Sequence, residues 1–190
     1  MELCFASNNR YKVEEIADML GDSFILKTLA EIGCVEDIAE TEDTIEGNSL
    51  LKAQYVWNKF ELNCFADDSG LEVEALNNAP GVYSARYAGE HGNHAKNIEL
   101  LLRNLDGIKN RKARFKTVIT LIINGQATQF EGIVSGKIIE TTRGNQGFGY
   151  DPIFVPDGFD RTFAEMSITE KSLISHRAKA FEQLKAYLLK

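Results

Sequence analysis

The chain has few cysteines, few prolines and no excess of basic residues, and these shortages exclude several classes of protein. Its 190 residues include three cysteines and three prolines. Cys4, Cys34 and Cys64 lie in unrelated contexts without CxxC or Cys/His spacing, which argues against a disulfide framework or a zinc site and favours free thiols in a reducing compartment. The formal net charge of -7 argues against general affinity for nucleic acid or an anionic membrane, because both would require a surplus of Lys and Arg.

Long apolar runs and targeting signals are also missing. No stretch approaches the roughly 18 apolar residues that a membrane-spanning helix needs. The opening MELCFASNN lacks the basic region of a signal peptide. Low-complexity segments, internal repeats and Pro/Gly-rich linkers are absent as well, and the length suits one domain with a sizeable core. We therefore expect a single cytoplasmic domain over residues 1–190.

The hydrophobic patterns that are present predict an α/β protein with a mixed sheet. The clearest signal is the β-branched run at residues 114–123, which a second alternating run mirrors after Asn124-Gly125, a dipeptide that favours the primed turn of a β-hairpin. Shorter strands are predicted at residues 2–6, 23–29, 64–66 and 71–76. Helices are predicted at residues 10–20, 44–60, 94–105 and 175–190, and the first of them places Val13, Ile16, Ala17 and Leu20 on one face before Gly21.

The acidic pair Asp67-Asp68 lies directly behind an apolar strand. Adjacent residues of a strand point to opposite faces, so the two carboxylates can address one site only if the strand ends between them. Ser69-Gly70 predicts such an end, and ligands of α/β proteins bind where strands end. An Asx-turn that simply closes the strand is an equally good interpretation.

Two further stretches combine polar residues with a helix start. In SNNRYK, free N–H groups and Lys12 could bind an anion, although an ordinary helix cap with a solvated lysine is favoured because the Gly-rich Walker pattern is missing. In ETEDTIEGNSLLKA, Glu40 precedes a helix that carries Lys52. Carboxylates of this kind suit Mg²⁺, but a solvated acidic loop is the simpler interpretation of the fragment alone.

Two more stretches combine flexibility, ring faces and basic groups. GNQGFGYDPIFVP offers glycines and the rings of Phe148 and Tyr150 for stacking, or simply a glycine-rich loop with core aromatics. EKSLISHRAKA gathers Lys171, His176 and Arg177 near the last helix, where they could bind a base edge or a phosphate, or form a solvated basic turn.

In their order along the chain, the five stretches resemble the inosine triphosphate pyrophosphatase family, also called non-canonical purine NTP pyrophosphatases or dITP/XTP pyrophosphatases. The resemblance covers essentially the whole chain. It implies a cytosolic homodimer whose elongated mixed sheet and flanking helices form two lobes around a central cleft. It also implies Mg²⁺-dependent hydrolysis of ITP, dITP and XTP to the monophosphate and pyrophosphate.

The resemblance further implies a role for each matching residue. Glu40 and Asp68 would hold the metal, and Asp68 would be the general base. The triphosphate would be bound by Ser7, Asn8, Asn9, Arg10, Tyr11 and Lys12, with added charge from Lys52. The rest of the nucleotide would be bound by Ser69, Phe148, Gly149, Tyr150, Asp151, Lys171, His176 and Arg177. The family often has Gly directly before the motif lysine, where this chain has Tyr11, which makes Lys12 the firmer expectation.

Two other functions stay open at this point. A Maf-type pyrophosphatase would cleave the same bond in nucleotides with other bases, and a substrate panel would distinguish it. A nucleotide sensor would bind without turnover, although the combination of Glu40, Asp68 and Lys52 argues against a pure binding protein.

Overall fold

The computed structural model describes residues 2–9, 12–14, 16 and 24–190. Residues 12–14 and 16 are helical, as the sequence predicts for this segment, and Ile16 is buried. The predictions for Arg10, Tyr11, Ala17, Leu20 and Gly21 fall outside the described residues.

A six-stranded mixed sheet organises the chain, in the order β2-β1-β3-β4-β5-β6. Strand β1 pairs in parallel with both β2 and β3, whereas β5 and β6 are antiparallel. The strands are β1 (Glu2–Phe5), β2 (Ile25–Thr28), β3 (Cys64–Val73), β4 (Lys112–Ile123), β5 (Gln126–Ile138) and β6 (Phe154–Pro156). Asn124 and Gly125 join β4 to β5 with φ values of 49° and 79°, which a type I′ turn requires. The predicted α/β class and the hairpin turn are confirmed.

Besides the helical residues at 12–14 and 16, the described part of the chain contains the helices α1 (Ile45–Phe60), α2 (His94–Asn104), α3 (Ile168–Ile174) and α4 (His176–Leu188). Helix α1 begins directly after Thr44, the first residue of the helix predicted at 44–60, and the Thr44 hydroxyl accepts the Gly47 N–H at 3.0 Å. It ends at Glu61, which adopts a left-handed conformation. Across the described segments, none of the helices has both the length and the apolar composition needed to span a bilayer.

The chain forms two compact units that alternate along the sequence. The first contains Met1–Asp68, Thr117–Gly132 and Arg177–Lys190, and the second contains Ser69–Lys116 and Ile133–His176. Within the first unit, helices α4 and α1 cover opposite faces of the sheet. Phe65 packs in one core cluster with Phe181 of α4, whereas Ala66 packs in another with Val56 of α1, as the alternation of a strand demands.

Strand β3 corrects one sequence prediction. It runs unbroken for 10 residues from Cys64 to Val73, so the strand end expected between Asp67 and Asp68 is wrong, as is the separate strand predicted after Gly70. Ser69 and Gly70 have weak strand preference, but pairing within a sheet overrides such preferences. The Leu71 N–H also finds a partner in the Ser84 hydroxyl at 2.8 Å. Asp67 and Asp68 therefore lie on opposite faces of one continuous strand.

Candidate active site

Lys52 brings together the acidic groups of two separate stretches. Its ammonium nitrogen lies 2.6 Å from Glu40 Oε1 and 3.7 Å from Asp68 Oδ1. Helix α1 presents Lys52 on the face of β3 to which Asp68 points, while Glu40 belongs to the loop before that helix. Lys52 and Asp68 are buried. Two carboxylates thus share one buried cation.

Burial and neighbouring charges perturb both partners of this group. Burial raises the pKa of Asp68 to about 6. The positive charges of Lys52 and Lys12 oppose this shift, and the negative charges of Glu40 and Asp67 reinforce it. Burial acts to lower the pKa of Lys52, but the combined attraction of Asp68, Glu40 and Asp67 raises it above its ordinary value. The carboxyl group of Asp68 is therefore a better proton acceptor than an exposed aspartate.

Asp67 makes a second charged group on the opposite face of β3. Its Oδ1 lies 3.0 Å from Lys12 Nζ, and its Oδ2 accepts a hydrogen bond from Arg177 Nε at 3.2 Å. The Asp67 side chain is fully buried. Although burial acts to raise its pKa, Lys12 and Arg177 hold the pKa of Asp67 well below its usual range. One carboxylate here faces two cations.

The polar stretch after β1 forms a helix cap. The Ser7 hydroxyl accepts the Asn9 N–H at 3.2 Å, and Asn9 Oδ1 accepts the Lys12 N–H at 3.2 Å. Asn8 donates from Nδ2 to Asp37 at 3.1 Å. The side chain of Lys12 in turn reaches Asp67.

In the second unit, Asp151 organises the loop that carries Phe148. Its Oδ2 accepts the Phe148 N–H at 2.9 Å and lies 2.7 Å from Lys171 Nζ. The Lys171 ammonium in turn lies 5.1 Å from the centroid of the Phe148 ring, a cation–π contact. Gly147 has φ of 73°, and a Cβ at this position would collide with Asp151 Oδ2. The loop can enclose the carboxylate only because residue 147 is glycine.

His176 and Tyr150 are embedded in the same unit. The His176 ring stacks on Phe115, with centroids 4.7 Å apart and planes inclined by 12°. The Tyr150 hydroxyl donates to the Ser84 carbonyl at 2.9 Å, and burial raises the pKa of that hydroxyl. Gly149 adopts a positive φ of 63°.

The predicted site residues fall into two sets. The first unit holds Ser7, Asn8, Asn9, Lys12, Glu40, Lys52, Asp68 and Arg177; the second holds Ser69, Phe148, Gly149, Tyr150, Asp151, Lys171 and His176. The chain passes from one unit to the other between Asp68 and Ser69 and again between His176 and Arg177. Over the described parts of the chain, no three His, Cys, Asp or Glu side chains form a metal-binding cluster.

The structure adds contacts that sequence reasoning missed. The sequence suggests Asp67 as a supporting partner of Asp68 or a second ligand, and it does not indicate the contacts of Asp67 with Lys12 and Arg177. The sequence gives no indication that Phe115 stacks on His176, because an aromatic residue inside an apolar strand is typical of a core. Gly147 could have been noticed from its position one residue before Phe148, but its contact with Asp151 depends on the folded loop.

Fold and site together define a class: an α/β protein that gathers buried carboxylates and cations, as a site for an anionic ligand and a metal ion would require. The chain belongs to the Ham1 family, whose family model matches residues 3–187. The resemblance that the five motifs indicate is thereby confirmed.

The relatives are similar over their whole lengths. A protein of Flavobacterium johnsoniae named dITP/XTP pyrophosphatase is 56% identical over 184 residues, which are 97% of this chain and 96% of the relative. One of the same name from Christiangramia forsetii is 53% identical and covers all of both chains. The structure of the Staphylococcus aureus Ham1 protein matches with a TM-score of 0.91 at 40% identity, covering 99% of this chain and 98% of the other.

Proposed function

We propose that this chain is a nucleoside triphosphate pyrophosphatase. It hydrolyses ITP, dITP and XTP to the monophosphate and pyrophosphate and so removes non-canonical purines from the nucleotide pool. The observation that carries the proposal is the meeting of Glu40 and Asp68 at Lys52, at 2.6 and 3.7 Å. Relatives named dITP/XTP pyrophosphatase, 56% and 53% identical, support the substrate class.

The donor atoms at Lys52 suit Mg²⁺. Mg²⁺ prefers hard oxygen ligands and is commonly held by one or two carboxylates together with substrate phosphates, and Glu40 and Asp68 supply two such carboxylates. Glu40 is partly exposed, with 24% of its side chain accessible, which leaves it open to a ligand. When bound, the metal would neutralise phosphate charge and acidify a coordinated water.

Asp68 is the general base in this proposal. It accepts a proton from the water that attacks the α-phosphorus, and the bond to the β-phosphate oxygen breaks as pyrophosphate leaves. General-base catalysis contributes about 10²–10⁴ in rate. Burial raises the pKa of Asp68 to about 6, which makes its carboxylate a stronger proton acceptor than that of an exposed aspartate. Lys12 and Lys52 stabilise the negative charge that builds on the leaving pyrophosphate.

Most of the groups proposed to bind the base belong to the second unit, and Arg177 belongs to the first. Phe148 would stack on the purine, while Lys171, His176 and Arg177 supply donors for the carbonyl oxygen at C6, which hypoxanthine and xanthine carry and adenine lacks. Buried donors left unpaired by the wrong base can discriminate by ~10⁴ or more. Ser69, Gly149, Tyr150 and Asp151 shape this pocket, and Asp151 does so by fixing Phe148 and Lys171.

We also propose that residues 1–190 work as one domain, in a cytoplasmic homodimer. The resemblance supports the dimer. The free cysteines support a reducing compartment. The net charge of -7 supports a partner that is neither nucleic acid nor membrane.

A nucleotide panel tests the function. The protein is incubated with dITP, XTP, ITP, dGTP, dTTP and ATP, with Mg²⁺ or with EDTA, and both pyrophosphate and monophosphate are measured. We expect equal amounts of the two products from the first three nucleotides, and none in EDTA. Preference for dTTP would instead indicate a Maf-type enzyme, and binding without products would indicate a sensor.

A further inference from the structure

We propose that Asp67 is a positioning residue that holds Lys12 and Arg177 together from the buried face of β3. Through these two cations it links the group that meets the triphosphate to a group that meets the base. The inference rests on the proposed function of the site, because that function gives Lys12 and Arg177 their roles. Asp67 itself touches neither the nucleotide nor the metal in this scheme.

The geometry assigns each oxygen of Asp67 to a different cation. Oδ1 lies 3.0 Å from Lys12 Nζ and Oδ2 lies 3.2 Å from Arg177 Nε. Lys12 and Arg177 are 55 and 110 residues from Asp67 along the chain. One rigid carboxylate, fixed on a central strand, therefore connects side chains that arrive from opposite ends of the sequence.

Strand alternation separates Asp67 from the carboxylates at Lys52. Asp67 shares the face of Phe65, which packs against α4, the helix that begins beside Arg177. Asp68 shares the face of Ala66, which packs against α1, the helix of Lys52. Neighbouring residues of one strand thus serve different tasks in this scheme. Asp67 holds Lys12 and Arg177, whereas Asp68 belongs to the group around Lys52.

Charge balance gives Asp67 a further effect on Lys12. Burial, Lys52 and Arg177 all act to lower the pKa of Lys12, whereas Asp67 and Asp68 act to raise it. Without the Asp67 carboxylate, Lys12 and Arg177 would face each other as buried like charges. Such groups are costly unless they are paired and hydrogen-bonded, so they would move apart or Lys12 would lose its proton. Either change removes the positive charge of Lys12 from the position where it would meet the phosphate.

A double-mutant cycle tests this link, because it measures whether two residues act through each other. Asp67→Asn, Lys12→Met and the double variant are compared with the wild type. The kcat/KM for dITP is measured, and the Kd for pyrophosphate is obtained by calorimetry.

We expect Asp67→Asn alone to lower kcat/KM at least tenfold, mainly through kcat. In the Lys12→Met background the same change should cost less than about threefold. Asp106→Asn, the same chemical change at an exposed position, should leave kcat/KM unchanged.

Additive losses in the cycle, or wild-type kcat/KM in Asp67→Asn, would overturn the inference. If Asp67→Asn does not fold, Asp67→Glu decides, because it keeps the charge but moves the carboxylate. A tenfold loss of kcat with an unchanged Tm supports positioning, and wild-type kinetics contradict it. The Kd for pyrophosphate can be measured without turnover of a nucleotide. If the wild type releases no pyrophosphate from dITP, the proposed function fails, while a non-additive Kd cycle still supports the role of Asp67.

Discussion

Replacing Asp68 with Asn tests the chemistry assigned to the site. The substitution keeps the size of the side chain and removes the basic oxygen. Lys52 loses a partner at 3.7 Å but keeps Glu40 at 2.6 Å, so the variant does not leave that ammonium without a counter-charge. Folding and nucleotide binding should therefore survive, which separates the chemical step from the rest.

The expected loss follows from the role of a general base. Such a group contributes about 10²–10⁴ in rate, or about 3 to 5 kcal/mol at 1.36 kcal/mol for each factor of ten. Because the interaction is made in the transition state, kcat and kcat/KM should fall together, with KM changed little. The Asp68 side chain is only 7% exposed, so bulk water has poor access to replace it as the proton acceptor.

The assay is pyrophosphate release from dITP with Mg²⁺, alongside calorimetric binding of dITP to the variant. Asp43→Asn is the matched control, since Asp43 is an exposed aspartate in the same acidic segment as Glu40 and should keep wild-type kcat. Turnover by Asp68→Asn at the parental rate would refute the assignment of the base. Loss of dITP binding together with a lowered Tm would show that Asp68 serves the fold instead.

Further substitutions test the second unit. Phe148→Ala should raise KM for dITP roughly 5- to 150-fold, since stacking on an aromatic ring contributes about 1–3 kcal/mol per base; an unchanged KM in steady-state kinetics would place the ring outside the site. Gly147→Ala, which collides with Asp151 at a φ of 73°, should raise KM and lower Tm, and wild-type values for both would contradict the loop geometry. Hydrogen bonding, first from the Ser167 N–H, lowers the pKa of Glu170 to about 2 from 4.5, so its stabilising effect is full above pH 4.5 and is lost as the pH falls toward 2. The Tm difference between wild type and Glu170→Gln should therefore narrow over that interval. A constant difference would show that the charge of Glu170 does not contribute to the stability of the fold.

Local chemistry explains what the sequence predicted well. Asn124-Gly125 specifies its turn because two consecutive positive φ angles favour these residues. Thr44 specifies the start of α1 because its hydroxyl satisfies a free N–H of the first turn. In both cases the deciding interaction lies within a few residues of the signal, so no knowledge of the tertiary fold was needed.

The failures share a different cause. Ser69-Gly70 looked like a strand end, but β3 neighbours β4 in the sheet and continues past Cys64 and Phe65, the two residues that pair with β1. The partners of Asp67 lie 55 and 110 residues away, and the stacking of His176 on Phe115 likewise joins distant segments. Motif order indicates which residues are candidates for the site, whereas the pairing among them depends on the sheet.

In the proposed function, the alternation of β3 lets one dipeptide serve ligands of opposite charge. On the face of α1, Asp68 and Glu40 share one lysine, which leaves an excess of negative charge that suits the proposed metal ion. On the other face, Asp67 lies between two cations, which leaves an excess of positive charge, and Lys12 is the cation of this group that would meet phosphate. A metal-bound nucleotide carries both kinds of charge in one molecule. A continuous strand can therefore present the two halves of that pattern side by side, which a strand ending between the two aspartates would not do.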